Sequence, residues 1–181
     1  ELEEELLEGT IDLAVHCLKD LPTTHPAGLT IAAIPSREEA TEYLLILKDC
    51  VDISQKLSLK KGAMVGTSSN RRKAQLLGLR SDIEIEDLRG NVLTRIQKLR
   101  DEDYDAIMLA KAGIKRLGLD VSEFHVEELE PTEFVPAPAQ GALAIQIREN
   151  DTELFDILQK LHDPATAEEV GVERKVLNLF E

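Results

Sequence analysis

The sequence alternates strand-like and helix-like patterns over Ala63–Leu117, which reads AMVGTSSNRRKAQLLGLRSDIEIEDLRGNVLTRIQKLRDEDYDAIMLAKAGIKRL. Short apolar segments predict strands at Ala63–Gly66, Ile83–Leu88 and Ala106–Ala110. Apolar residues at three- and four-residue spacing follow each of them and predict helices over Arg71–Leu79, Val92–Arg100 and Lys111–Leu117. Strands and helices in this order are typical of a mostly parallel sheet covered by helices.

The flanking segments carry the same two patterns. Further strands are predicted at Ile11–Val15, Leu29–Ile34, Tyr43–Leu47 and Ala142–Ile147. Two more helices are predicted over Thr152–Leu161 and Ala165–Phe180. Prolines cluster after the first strand and again at 131–138, so we expect one α/β unit at about 45–135, with the segments on both sides of it forming another.

The composition indicates an ordinary globular protein, with 43% hydrophobic and 31% charged residues among 181. The net charge of −14 argues against a general binder of nucleic acids or anionic membranes, and 3% aromatic residues argue against base stacking. No apolar run approaches the ~18 residues of a membrane span. The two cysteines, Cys17 and Cys50, form no CxxC pair, so we expect a reducing cytoplasm and no structural zinc site.

Basic residues concentrate in one part of this acidic chain. The segment Lys60–Arg116 holds 13 basic and 8 acidic residues, which is a local net charge of +5. A positive segment inside an acidic protein suggests a local anion site, although a solvated helical face would have the same composition.

The first candidate anion site is Thr67-Ser68-Ser69-Asn70-Arg71-Arg72, which follows a predicted strand and opens a predicted helix. Backbone N–H groups at a helix start attract anions, hydroxyl groups add donors, and each guanidinium can hold a carboxylate through two parallel bonds. Neither a P-loop nor a GxGxxG motif is present, and the pattern does not separate phosphate from carboxylate. The alternative is an ordinary N-cap followed by surface arginines.

The next two strand ends also carry arginines. Arg89 and Gly90 directly follow the second predicted strand of this stretch, Arg95 comes one turn after the Asn91 cap, and Arg116 lies in the helix after the third strand. Because the carboxyl ends of parallel strands face the same crevice, these arginines could converge with Arg71 and Arg72 on one polyanionic ligand. Any one of them alone would be an ordinary surface residue.

The segment Val15–Pro22, which reads VHCLKDLP, follows the first predicted strand. A carboxylate at a strand end can act as a general acid–base or stabilise a passing cation, which makes Asp20 a candidate catalytic residue. A structural His16, a space-filling Cys17 and an exposed Lys19–Asp20 pair would fit the same residues, so their types alone leave the role open.

Six motifs together resemble the porphobilinogen deaminase family. They occur in the family's order, with similar gaps, over essentially the whole chain: IDLAVHCLKDLP at 11–22, VGTSSNRR at 65–72, LRGNV at 88–92, YDAI at 104–107, AGIKRLG at 112–118 and PAQGA at 138–142. Six ordered motifs are a specific signal, whereas any one of them would be weak.

The resemblance implies three α/β domains, of which the first two are like periplasmic binding proteins, with mixed, mostly parallel sheets covered by helices. Residues 1–44 with 135–160 would form part of the first domain, 45–134 the second, and 161–181 the beginning of the third. The resemblance also implies a fragment that lacks the family's N-terminal strand and most of its C-terminal domain. We therefore expect the chain to be inactive by itself.

The activity implied by the resemblance is that of a transferase, hydroxymethylbilane synthase. Four porphobilinogen units are joined head to tail on a covalently held dipyrromethane primer, with loss of ammonia, in tetrapyrrole and heme biosynthesis. By motif, Asp20 would be the catalytic carboxylate. The cofactor-binding residues would be Lys19, Thr67, Ser68, Ser69, Arg71, Arg72, Arg89, Arg95, Arg116, Gln140 and Gly141. The cysteine that holds the primer would lie beyond Glu181. The family is usually monomeric, and the resemblance implies no metal and no nucleic acid or membrane partner.

The sequence departs from the family pattern at a few positions. Cys17 stands where the family usually has Ser, which puts one hydrogen bond to the cofactor in doubt, and Asn70, Lys73 and Ala139 replace the usual Leu, Gln and Gly. An alternative from another class is a non-catalytic module of the periplasmic-binding-protein type that binds a dicarboxylate or phosphate. Asp20 discriminates between the two, because a carboxylate in the binding cleft would repel an anion.

Overall fold

Two sheets organise the residues that the computed structural model describes, which are 2–24 and 26–180. The chain divides into two compact units, one formed by Glu1–Ala40 with Ala137–Glu181 and the other by Thr41–Pro136. The strands are β1 (Leu13–Cys17), β2 (Leu29–Ala33), β3 (Glu42–Ile46), β4 (Met64–Gly66), β5 (Glu84–Glu86), β6 (Ala106–Ala110), β7 (His125–Leu129) and β8 (Leu143–Arg148). The helices are α1 (Leu2–Glu8), α2 (Asn70–Leu79), α3 (Val92–Arg100), α4 (Lys111–Leu117), α5 (Thr152–Leu158) and α6 (Pro164–Asn178).

The unit of residues 41–136 contains a five-stranded sheet in the order β5-β4-β6-β3-β7. Strand β4 pairs in parallel with both β5 and β6, which confirms the parallel arrangement predicted for this stretch. Strand β3 runs antiparallel to β6 and to β7, so the sheet is mixed. The predicted bounds of α3, α4 and β6 agree with the structure, and α2 begins one residue earlier than predicted.

Helices cover both faces of this sheet, because successive strand residues point to opposite sides. Leu44 and Met108 join a core with Leu76 of α2. Leu45 and Ile107 join a second core, whose other members include Ile96 and Leu99 of α3 and Ile114 of α4. The α/β class that the sequence predicts is confirmed.

Strand β7 was not predicted. Its sequence, HVEEL, contains two adjacent glutamates and lacks the apolar alternation of a half-buried strand. It lies at the edge of the sheet, where one side of the strand has no neighbouring strand in the described residues, and its first four residues are partly or fully exposed. An edge position tolerates charged residues that a central strand would exclude.

The unit of residues 1–40 and 137–181 contains the sheet β1-β8-β2, in which both pairings are antiparallel. The first strand begins at Leu13, two residues later than the predicted Ile11, because Ile11 is bonded elsewhere: its carbonyl accepts from the Arg148 guanidinium at 2.6 Å. In α6, Pro164 occupies the first turn and Asp163 caps the helix by accepting from the Thr166 amide. Within residues 2–24 and 26–180, no helix is both long and apolar enough to cross a membrane.

Candidate functional site

The pairing of β1 with β8 brings two predicted site segments side by side. Cys17 at the end of β1 faces Leu143 at the start of β8, and the Leu18 amide extends the ladder to the Ala142 carbonyl at 3.0 Å. The residues just after β1 therefore lie next to those just before β8. A 3₁₀ turn, Leu18–Asp20, follows β1 and carries Lys19 and Asp20.

Lys19, Asp20 and Gln140 form one local cluster. The Lys19 ammonium donates to the Gln140 side-chain oxygen at 3.4 Å, although 121 residues separate them in sequence. Gln140 is fully buried, and its side-chain amide donates to the Ala40 carbonyl at 2.6 Å. Asp20 is exposed at the end of the turn. The structure thus shows a solvent-exposed carboxylate that directly follows, in the chain, a lysine whose ammonium contacts a buried amide.

Gly141 is required by close backbone packing. Its φ of +87° lies in the left-handed region, and a Cβ there would stand 2.2 Å from the Glu38 carbonyl oxygen. The Glu38 amide donates to the Gly141 carbonyl at 3.1 Å, so the two backbones are directly bonded. This contact fixes the loop from which Gln140 points toward Lys19.

Sequence reasoning missed the ion pair that holds the other side of this loop. The Arg37 guanidinium, largely buried, donates to both carboxylate oxygens of Glu173 in α6, at 2.6 and 3.1 Å, and to the Gln140 carbonyl at 2.8 Å. Glu173 in turn accepts from the Ala139 amide at 2.6 Å. Ala139 has a φ of +59°, which glycine, the usual family residue here, adopts without strain.

The predicted hydroxyl residues just before α2 all make hydrogen bonds with other residues of the same unit. Ser69 caps the helix by accepting from the Arg72 amide, and Thr67, which is buried, accepts from the Ser69 amide at 3.3 Å. Ser68 donates its hydroxyl to the Leu88 carbonyl at 3.1 Å. A hydroxyl has one hydrogen to donate, so Ser68 can donate to an anion only by giving up this bond.

Arg71 and Arg72 share one internal carboxylate, that of Glu42 in β3. Arg72 donates to Glu42 through Nε at 3.0 Å and a terminal nitrogen at 2.6 Å, and also donates to the Met108 carbonyl at 3.2 Å. Arg71 donates to Glu42 at 2.6 Å and to the Val135 carbonyl. The side chains of Glu42, Arg72 and Arg71 are 0%, 7% and 25% exposed, so Arg71 is the more accessible arginine.

The electrostatics of this trio favour the ionised carboxylate. Burial by itself would raise the pKa of Glu42, but the hydrogen bonds and positive charges of Arg72 and Arg71 outweigh it and hold the pKa below its ordinary value. Two guanidiniums and one carboxylate leave a surplus positive charge at the start of α2. Glu42 was not predicted as a site residue, and its only sequence signal is a charge at the start of the apolar strand EYLLI.

The remaining predicted arginines lie on the elements after β5 and β6. Arg89 is exposed in the loop before α3, and half-buried Arg95 in α3 donates to the Gly90 carbonyl at 2.7 Å. Arg116 is exposed in the last turn of α4, about 7–8 Å along the helix from its first residue. Lys111 occupies the junction itself, where it pairs with Glu128 and lies 5.6 Å from the centre of the Tyr43 ring.

Both cysteines are free thiols, with Cys17 exposed and Cys50 half-buried. Burial and the hydrogen bond to the Asp105 carboxylate at 3.1 Å raise the pKa of Cys50 to about 11. The thiol of Cys50 therefore stays protonated at neutral pH and is a poor nucleophile. Among residues 2–24 and 26–180, no three His, Cys, Asp or Glu side chains form a group that could hold a metal ion.

Residues 1–156 match the family model described as "Porphobilinogen deaminase, dipyromethane cofactor binding domain". The chain belongs to the porphobilinogen deaminase family. It is 50% identical over all 181 residues to the porphobilinogen deaminase of Oceanobacillus iheyensis and 48% identical to that of Bacillus subtilis. It spans 57% and 56% of the lengths of these two relatives.

Solved structures with low sequence identity share the fold. A Salmonella typhimurium periplasmic binding protein with high arginine specificity has a TM-score of 0.51 at 14% identity, covering 96% of this chain and 75% of that one. The Bordetella pertussis BvgS periplasmic VFT2 domain has a TM-score of 0.52 at 13% identity, covering 96% and 70%. These likenesses confirm the predicted periplasmic-binding-protein-like fold for this member of the porphobilinogen deaminase family.

The sequence-predicted site residues all fall within the part of the chain that matches the cofactor-binding domain of the porphobilinogen deaminase family. Lys19 and Gln140 are in contact, and Arg71 and Arg72 share Glu42. The individual roles of these residues remain predictions.

Proposed function

We propose that the full-length protein containing this chain is a hydroxymethylbilane synthase. It would join four porphobilinogen units head to tail, with loss of ammonia at each step, in tetrapyrrole biosynthesis. The observation that carries the proposal is the match of residues 1–156 to a dipyrromethane-binding domain, together with the exposed carboxylate of Asp20 on its short turn. The proposal includes the assignment of 161–181 to the beginning of a third domain.

The residues present fit a ligand that carries several carboxylates. Arg89 and Arg116 are exposed, Arg71 is half-buried, and the surplus charge of the Glu42 trio lies at the start of α2. Guanidiniums hold carboxylates through paired hydrogen bonds, which suits the acetate and propionate groups of pyrroles. When bound, dipyrromethane supplies the pyrrole carbon to which the first substrate unit is joined.

The two adjacent arginines would contribute differently. Arg71 is the more exposed of the two, at 25% against 7%, and would bind a carboxylate with the N–H groups that Glu42 and Val135 leave over. Three N–H groups of Arg72 are already used by Glu42 and Met108. Arg72 would bind the ligand with its remaining donors while keeping the trio in place. Arg95, Thr67, Ser68, Ser69 and Gly141 would support the same binding, as the resemblance implies.

Asp20 would assist departure of the amino group of porphobilinogen and stabilise the positive charge that develops on pyrrole nitrogen. Its exposure leaves the carboxylate accessible to a substrate, and its neighbour Lys19 is oriented by Gln140. Lys19 would bind a substrate carboxylate beside the reacting group. Binding by Lys19 would therefore place the amino group within reach of Asp20.

The test is Asp20→Asn in the full-length enzyme, with turnover of porphobilinogen and primer content measured together. We expect primer content to be retained and turnover to fall by about 10²–10⁴-fold, the usual contribution of an acid–base group. The matched control is Asp12→Asn, because Asp12 is an exposed aspartate of the same unit that pairs with Arg148 outside the cluster. Near-normal turnover by Asp20→Asn would contradict the proposal.

The likeness to periplasmic binding proteins favours a second candidate, a non-catalytic module that binds a dicarboxylate or phosphate. This module would gain affinity from Asp20→Asn, because the substitution removes a negative charge near the ligand. An enzyme would instead lose turnover.

We further propose that the protein is cytoplasmic and acts on a small molecule, without nucleic acid or membrane partners.

A further inference from the structure

Three backbone carbonyls of the Asp20 segment converge on one side chain, that of Arg174 in α6. One terminal nitrogen of Arg174 donates to the Leu18 carbonyl at 3.0 Å and to the Leu21 carbonyl at 2.8 Å. The other terminal nitrogen donates to the Pro22 carbonyl. The turn that carries Asp20 is thus bonded on both sides of that residue to a single guanidinium.

The same face of α6 holds the segment at two further points, one helical turn apart in each direction. Val170 is fully buried in the core that contains Leu18 and Leu21. Asn178 donates its side-chain amide to the Thr23 hydroxyl at 2.9 Å. Positions 170, 174 and 178 are four residues apart, so they form one stripe along the helix.

The backbone of the turn is held in part by its own hydrogen bonds: the Leu18 amide donates to the Ala142 carbonyl at 3.0 Å, and the Leu21 amide donates to the Leu18 carbonyl at 3.3 Å. The 3₁₀ turn ends at Asp20, so the Leu21 and Pro22 carbonyls lie beyond its last turn, where no further helical amides follow. A guanidinium has five N–H groups in a rigid fork and can bond several carbonyls at once. An ammonium on a flexible stem lacks that fixed geometry.

We propose that Arg174 is a positioning residue for Asp20: its three carbonyl bonds fix the turn and thereby the position of the carboxylate. This inference rests on the proposed function, because it requires that Asp20 acts in turnover. Arg174 lies outside the residues that match the cofactor-binding domain, so the residues that position Asp20 extend beyond residue 156.

The experiment compares Arg174→Met with Arg80→Met in the full-length enzyme. Arg80 is the matched control, because it also donates to three backbone carbonyls, those of Lys56, Leu59 and Lys60. It lies in the other unit, and none of these three residues is a predicted site residue. The measurements are thermal unfolding, hydrogen exchange of the amides of residues 18–21 and 23, kcat, KM and primer content.

For Arg174→Met we expect exchange at the Leu21 amide to become faster by about tenfold or more. We expect kcat to fall by about 10- to 100-fold at unchanged primer content and nearly unchanged KM, because misplacing a reacting group lowers the rate more than the binding. Arg174→Lys should give an intermediate result. Arg80→Met should lower the unfolding temperature without changing kcat or the exchange of the amides of residues 18–21 and 23.

An Arg174→Met enzyme whose kcat and exchange match those of Arg80→Met would overturn the inference. If Arg174→Met does not fold, Arg174→Lys and Asn178→Ala are compared with Arg80→Met by the same measurements and the same criterion. Asp20→Asn separates the two proposals. Normal turnover by Asp20→Asn would overturn the proposed role of Asp20 and this inference together, whereas loss of turnover in Asp20→Asn but not in Arg174→Met would overturn this inference alone.

Discussion

Replacing Glu42 by Gln should destabilise the 181-residue chain strongly, because it removes the only carboxylate in a buried trio of charges. Gln keeps nearly the same volume but has one acceptor oxygen instead of two, and its NH₂ group would face a guanidinium donor. The side chain of Arg72 is 7% exposed and cannot regain water without local unfolding. Removing one partner of a buried ion pair costs about 3–5 kcal/mol, which is the loss we expect in the free energy of unfolding.

Urea unfolding followed by far-ultraviolet circular dichroism measures this loss, since the chain has no Trp for fluorescence. The pH dependence gives a second signature. The pKa of Glu42 is lowered in the folded state from an ordinary value of 4.5, so its contribution to stability is fully present above that value and is lost as the pH falls through the lowered pKa. The difference between the original chain and Glu42→Gln should therefore stay constant from neutral pH to about pH 5 and shrink below it.

The matched control is Glu123→Gln, which breaks the ion pair with Arg100 on the surface of the same unit. Those two side chains are 47% and 43% exposed, and exposed pairs contribute about 0–1 kcal/mol. A Glu42→Gln chain that loses no more stability than Glu123→Gln would refute the reasoning. The double variant Glu42→Leu with Arg72→Met should be more stable than Glu42→Gln. It removes the buried guanidinium of Arg72 together with the carboxylate, so that this charge is not left buried without a partner.

Three other predictions follow from the same structure. Replacing Arg71 by Leu, which leaves Glu42 paired with Arg72, should weaken binding of small dicarboxylates, measured by calorimetry at low salt. Replacing the exposed Lys160 by Leu should change the binding little, and equal losses would mean that net charge alone attracts the anion. Cys50, with its pKa of about 11, should react with a maleimide at pH 8 roughly two orders of magnitude more slowly than an ordinary exposed thiol. Mass spectrometry measures both rates, and comparable rates would contradict this prediction. Gly141→Ala should lower the free energy of unfolding by more than about 2 kcal/mol, because alanine is strained in the left-handed conformation and its Cβ would clash with the Glu38 carbonyl. A variant as stable as the original chain in urea unfolding would show that the loop relaxes.

The sequence by itself determined the local elements around the candidate sites. The helices α2, α3 and α4 and the strands β4 and β6 have the apolar spacing that their secondary structure requires, and Ser69 and Asn91 begin their helices as caps. Spacing and capping depend only on near neighbours in the chain, so they can be predicted without the fold. The six ordered motifs likewise identified the family, because residue identity and order are properties of the sequence.

The partners of the charged residues were decided by the tertiary structure alone. Arg71 and Arg72 look from sequence like two equal ligands for an anion, but β3 brings Glu42 between them across 29 and 30 residues. Lys19 meets Gln140 only because β1 and β8 pair with Cys17 opposite Leu143. Strand β7 is a strand only because β3 offers it an edge. In each case the side chains are brought together by the pairing of strands that are far apart in the chain. The sequence of one strand does not show which distant strand it will pair with, so these contacts could not be predicted from local patterns.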